Sequence, residues 1–215
     1  TATDIMWRDL TAFKHRTCLP VVACLMDVAA GGGYYLAVAS DRIVAHPTSV
    51  TGGIGCILNV YNLQDLMGQF NILGIPIKSG ANIDLGSPIK ELSADKRKLL
   101  QDMADEFHAR FRTVVLKARP EVDGSIESTF DGRVFTARQA HELHLIDETG
   151  YLDNAVGAAR KMAGVDYANV VFYRRHEDPA LSPYSITPNT PLQKTLIPIS
   201  IPGLDRSKLP TFLYL

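Results

Sequence analysis

One turn gathers the residues best placed to do chemistry in this chain: Ala29-Ala30-Gly31-Gly32-Gly33-Tyr34-Tyr35. It follows an apolar strand candidate, Val21 to Met26, and leads into a helix candidate, Gly32 to Ser40, so the glycines fall at a strand-to-helix turn. Amides at such a helix start can hold an anion or a developing oxyanion. The residue at the apex of the turn is presented as a serine nucleophile has to be. Here that residue is Gly31, which carries no side chain. Three glycines in a row have a plainer reading too, as tight helix-strand packing or a loop. Hydroxyls follow at Ser49, Thr51, Ser79 and Ser87, none of them on the turn that leads the helix.

Other chemistry is weakly signalled. His141 and His144 lie three apart on a helix candidate, a spacing that suits two metal ligands, but no third ligand stands nearby in the sequence and a surface pair is the reading. His46 follows a short strand and either lines the cleft beside Gly31 or is structural. Cys18, Cys24 and Cys56 are odd in number with no Cys-x-x-Cys spacing, so free thiols are expected in place of a zinc site or disulfide framework. A net charge of −1 gives no reason to expect nucleic acid as a partner, and Lys96-Arg97-Lys98 reads as the solvated face of a helix. Asp27 interrupts the most apolar stretch, so no transmembrane run is predicted.

The elements that must position the turn alternate in βα fashion. Helices are predicted over Asp4 to Phe13, Gly32 to Ser40, Val60 to Phe70, Thr136 to Leu143 and Tyr151 to Ala163. The longest should start from an N-cap at Ser93 and reach about Lys117, with an apolar stripe through Leu99, Leu100, Met103, Phe107, Phe111, Val114 and Val115. Strands are predicted over Val21 to Met26, Arg42 to Ala45, Ile75 to Ser79, Leu145-Ile146 and Asn169 to Tyr173. Arg174 to Leu215 holds seven of the chain's twelve prolines, lacks a sustained period and is expected to be an extended tail docked on a neighbouring subunit.

Four blocks in order resemble the S49 serine peptidases, the signal peptide peptidase A family of the ClpP/crotonase superfamily. They are Pro20 to Ala45 around the glycine turn; Thr51-Gly52-Gly53-Ile54-Gly55; Lys78-Ser79-Gly80-Ala81-Asn82-Ile83-Asp84 with Gly86-Ser87-Pro88; and Asp131-Gly132-Arg133-Val134-Phe135-Thr136 with Gln139-Ala140 and Leu145 to Glu148. The resemblance covers Thr1 to Ala163. It implies an α/β fold, a ClpP/crotonase-like spiral of repeated ββα units with an extended C-terminal tail. Residues 1–166 would form an N-terminally incomplete peptidase-like domain and 167–215 a final strand and Pro-rich tail.

Family chemistry uses a serine nucleophile and a lysine general base on signal peptides and other peptides, with no cofactor and no metal. A neutral lysine, kept so by burial, takes the serine proton. This chain departs at three places: Gly31 stands at the nucleophile position, Ile83 at the general-base position and Gly53 at an auxiliary serine position. No dyad member is intact, and Ile83 is expected to fill with hydrocarbon the site that would hold an amine. Gly31, Gly32, Gly33, Gly52 and Gly53 remain as peptide-binding or oxyanion candidates. A further oxyanion turn is expected upstream of Thr1, as is a membrane tether, which with the resemblance implies an extracytoplasmic, membrane-associated protein. The expected function is a non-catalytic homologue that binds a peptide or signal-peptide-like ligand or assembles as a homo-oligomeric scaffold. Two alternatives stand beside it. One is an active serine endopeptidase completed by a missing segment or partner subunit. The other is a crotonase-type acyl-CoA enzyme, disfavoured because no Asp or Glu lies between Ala45 and Tyr61.

Overall fold

A computed structural model describes residues 1–173, Ser182, Tyr184 and the strand Phe212–Leu213. The apolar run expected as one strand breaks in two. Val22–Leu25 (β1) ends before Met26-Asp27, and Val28–Ala30 (β2) continues in a second sheet. After a short helix, Gly32–Ala37 (α2), the pattern repeats as Arg42–Ala45 (β3) and Val50–Gly52 (β4). First strand pairs with first and second with second, both in parallel: Ala23 opposite Ile43, Ala29 opposite Thr51. This stacking of ββα units is what a spiral of the ClpP/crotonase type requires.

Glu148–Thr149 (β7) adds to β3 in parallel and Val134–Thr136 (β6) adds to β4 antiparallel, giving sheets ordered β1-β3-β7 and β2-β4-β6. A third ladder pairs Ile57–Leu58 (β5) with Phe212–Leu213 (β8). The break at Asp27 frees carbonyls that need partners. The buried Ser49 hydroxyl is shared between the Leu25 and Asp27 carbonyls, and the Val50 amide donates to Asp27 as well.

Helices Ala2–Thr17 (α1), Gln64–Gln69 (α3), Ala94–Ala118 (α4), Ala137–Glu142 (α5) and Leu152–Ala163 (α6) complete the described elements, with a 3₁₀ turn at Glu127–Thr129. Ser93 caps α4 through its side chain, as its sequence signature predicts, and Thr136 with Gln139 forms a capping box on α5. The core gathers Tyr34, Tyr35, Ile43, Val44, Ile54, Phe111, Val115, Phe130, Leu145 and Ile146.

Several expectations are corrected. Ile75 to Ser79 is not a strand, because the segment lies on no sheet to pair with, and Asn169 to Tyr173 is not one either. Val60 to Phe70 yields only the six residues of α3. Leu145-Ile146 is a buried turn ahead of β7, its apolar character serving the core and no ladder. The α4 stripe is buried only at Phe111, Val114 and Val115, while Leu99 and Met103 are exposed. The expected tail, Arg174 to Leu215, lies outside the described residues apart from the four already named.

Candidate active site

Gly31 sits at the junction of β2 and α2 with φ 54° and ψ −113°, a conformation that side chains resist and that a nucleophile-bearing elbow adopts. Both of its peptide groups are tied. Its amide donates to the Gly52 carbonyl at 2.9 Å, continuing the β2–β4 ladder, and its carbonyl accepts from the Tyr35 amide at 2.8 Å. That second bond is the first in α2, so the amides of Gly32, Gly33 and Tyr34 lie ahead of it.

Gly52 and Gly53 come alongside. Gly52 has φ 87°, and a Cβ there would stand 2.7 Å from Cδ2 of Phe135. Gly53 has φ 62° and donates to the Arg133 carbonyl at 2.9 Å. Gly55 faces the backbone of Gly132, which a Cβ on it would meet at 3.0 Å. Gly33 is different: a Cβ would meet only Ala29 at an ordinary 3.7 Å, and its φ is not positive.

Two tyrosines anchor the turn from below. The Tyr34 hydroxyl donates to the Leu145 carbonyl at 2.7 Å, and burial pushes its pKa up. Tyr35 donates to Asp4 of α1 at 2.5 Å, and Arg110 of α4 donates to the same carboxylate oxygen through Nε at 3.0 Å and Nη2 at 2.6 Å. Burial pushes the Asp4 carboxyl up, but the Tyr35 and Arg110 bonds outweigh it and hold the group below its usual range. Tyr35 also packs against Phe111, ring centroids 4.8 Å apart, with Trp7 edge-on at 6.2 Å. Asp4 and Arg110 escaped sequence reasoning. The signal was there in Tyr34-Tyr35, since two buried hydroxyls need two partners, but the partners are remote in sequence.

The lysine-containing block folds against the start of α4. Asp84 accepts from Lys78 Nζ at 2.9 Å and from Lys96 Nζ at 2.5 Å, and these two bonds, Lys96 foremost, hold its carboxyl far below the usual range. Both ammonium groups are therefore committed to a carboxylate. Ile83 does not fill an amine site as expected; its side chain is 69% exposed, on a run of turns outside any sheet or helix. The structure thus unites Gly31, Gly32, Gly33, Gly52 and Gly53 and leaves Ile83 facing solvent.

The remaining candidates resolve into structural roles. Thr51 donates its hydroxyl to the Ala29 carbonyl at 2.7 Å, and Ser49 bridges the strand break. His46 Nδ1 lies 2.8 Å from the Thr48 hydroxyl and its ring meets Tyr151 edge-on. His141 and His144 are exposed, and Nδ1 of His144 lies 3.6 Å from Glu121. Burial raises the Cys24 and Cys56 thiols. Among the described residues no group of three or more His, Cys, Asp or Glu could hold a metal, and no helix is long and apolar enough to cross a membrane.

A glycine turn built into stacked ββα units defines a ClpP/crotonase-type scaffold. More narrowly, peptidase family S49 matches residues 14–166, and the chain belongs to that family. It is 32% identical over 165 residues to the chloroplastic serine protease SPPA of Arabidopsis thaliana, a match covering 76% of this chain and 24% of that protein. It is 26% identical over 173 residues to protease 4 of Salmonella typhi, covering 80% of this chain and 28% of that protein. An enoyl-CoA hydratase structure from a Polaromonas species aligns at TM-score 0.32 and 20% identity, over 67% of this chain and 38% of that one. The chain spans from about a fifth to about half of the length of the curated relatives it matches.

Proposed function

We propose that this chain is a non-hydrolytic S49 homologue that holds an extended peptide, signal-peptide-like in its apolar character, and works as part of a homo-oligomeric scaffold. One observation carries the reading: the elbow at Gly31 keeps a nucleophile's backbone geometry and has no side chain to attack with. In this reading Gly31, Ile83 and Gly53 stand at the nucleophile, general-base and auxiliary-serine positions. The amines of Lys78 and Lys96 are both engaged by Asp84. What persists is the ability to receive a carbonyl. Amides of Gly32 and Gly33 lie at the start of α2 ahead of its first backbone bond, where they can receive a carbonyl, while the buried Gly31, Gly52 and Gly53 shape the turn beneath them. The peptidase-like unit is taken as residues 1–166, with 167–215 as an appended segment. Extracytoplasmic membrane association belongs to the same reading and rests on the family alone.

A fluorophosphonate probe tests the chemistry, and titration of a labelled signal-peptide analogue tests the binding. The expected result is saturable peptide binding with no probe adduct. Specific labelling of any serine of the isolated chain overturns the reading. Labelling or turnover that arises only on mixing with an active S49 protein supports completion by a partner, a reading favoured by the outward-facing Ile83.

A further inference from the structure

Two short segments far apart in the chain meet in a sheet of their own. β5 pairs antiparallel with β8, Ile57 opposite Leu213 and Leu58 opposite Phe212, and no third strand joins them among the described residues. A sheet of two strands and two residue pairs is marginal by itself. β5 therefore offers an edge whose occupant can be exchanged for another extended chain. The occupant is apolar in sequence: Pro210-Thr211-Phe212-Leu213-Tyr214-Leu215 carries no charge.

This edge lies within reach of the glycine turn. The Gly31 amide donates to the Gly52 carbonyl, and Gly52 and Ile57 are five residues apart, so no more than about 18 Å of backbone leads from one to the other. About six extended residues span as much. A peptide whose carbonyl rests at the start of α2 can therefore run on along β5. Between β5 and α4 is a cavity of about 340 Å³, walled by Ile57, Leu58, Val60, Leu92 and Leu100, with Arg97 its one charged lining residue. An added strand turns every second side chain to one face, and a cavity of this size and lining takes a large apolar one.

We infer that β8 is an exchangeable, self-occluding strand: Phe212–Leu213 holds the place on β5 that an extended apolar peptide takes when it binds. The inference rests on the peptide-holding part of the proposed function and adds its regulation. Being part of the same chain, the segment competes without being diluted. Where it covers β5 in about nine-tenths of the molecules, the apparent affinity for an outside peptide falls about tenfold. The ladder uses backbone groups that any extended peptide supplies, so the exchange costs β5 none of its bonds, and the cavity lining selects an apolar newcomer.

The whole chain carrying Phe212→Pro together with Leu213→Pro tests it, because neither proline can donate to the ladder. Circular dichroism and melting verify that the fold is kept. Titrated with a labelled signal-peptide analogue, the variant should bind at least about threefold more tightly than the parent, and about tenfold at nine-tenths occlusion. A labelled peptide of residues 208–215 should bind the variant and be displaced by the analogue. Hydrogen exchange on the unaltered chain reads the same event without a substitution: saturating analogue should speed exchange at residues 212–213 and leave 57–58 protected. A gain below threefold, a loss of affinity, or continued protection of 212–213 in the complex overturns the self-occlusion and leaves peptide holding standing. If the analogue binds neither parent nor variant, the self-occlusion and the peptide-holding reading fall together.

Discussion

Placing a hydroxyl at the elbow, Gly31→Ser, is the perturbation that separates backbone from chemistry. The φ of 54° and ψ of −113° are pinned on both sides, by the Gly52 carbonyl and by the Tyr35 amide, so the turn cannot relax around a new Cβ without losing one of those bonds. Holding a non-glycine residue in such a region costs about 1–3 kcal/mol. Removing glycine's freedom from the unfolded chain returns about 0.4–1 kcal/mol. The net loss is about 1–2 kcal/mol, and for a domain of this size it lowers Tm by about 2–8 °C at about 2–4 °C per kcal/mol. Gly31→Ala should lose the same amount, since strain and not the hydroxyl is responsible. Urea unfolding with unchanged m-value and a calorimetric scan measure the loss. Turnover of a fluorogenic peptide should stay at background, because the amines of Lys78 and Lys96 remain bound to Asp84. A neutral or stabilising Gly31→Ser would refute the claim that the elbow is pinned. Hydrolysis by the single variant would refute the claim that the base is missing.

Gly52→Ala, with its Cβ driven to 2.7 Å from Phe135 at φ 87°, should destabilise by about 2–4 kcal/mol, while Gly33→Ala should gain about 0.5–1 kcal/mol; denaturant midpoints of the two should move in opposite directions. Ile83→Lys should change stability by no more than about 0.5 kcal/mol, because the side chain is in water, and a larger loss in a melt would show that position 83 is covered. For Asp147, burial pushes the carboxyl up but bonds from Arg119 and the Ile43 amide outweigh it, and Asp4 is likewise held low. Lowered folded-state values mean stability that is complete above the unfolded value near pH ~4 and is lost as pH falls through the folded ones, so urea midpoints should be flat from about pH 7 to 5 and fall below about pH 4, less steeply in Asp147→Asn.

Local signals in the sequence transferred well to the structure wherever the local cause was sufficient. Ser93 and Thr136 start their helices through bonds within three residues, and Gly31 marks its turn because the turn is built from adjacent residues. The apolar run from Val21 to Met26 is unbroken in sequence and so predicts one continuous strand. Its break depends on Ser49, more than twenty residues away, supplying the hydroxyl that makes a switch of sheets tolerable. Ile75 to Ser79 has the composition of a strand, and so does Asn169 to Tyr173, but a strand exists only where a neighbour offers a ladder. Position in a block is the whole basis for expecting Ile83 in the site. Its exposure depends on how Asp84, one residue on, is drawn to Lys78 and Lys96.

In the proposed reading, glycine at the elbow also bears on how the turn keeps its geometry without the chemistry. With a side chain at position 31, the conformation is strained and must be held by its surroundings, here the Gly52 ladder and the two anchored tyrosines. With glycine that strain is absent while the anchors stay, so the turn keeps its shape without the cost a side chain would add. In the proposed reading, glycine at position 31 removes the attacking atom and the strain together and leaves the carbonyl-binding frame its shape.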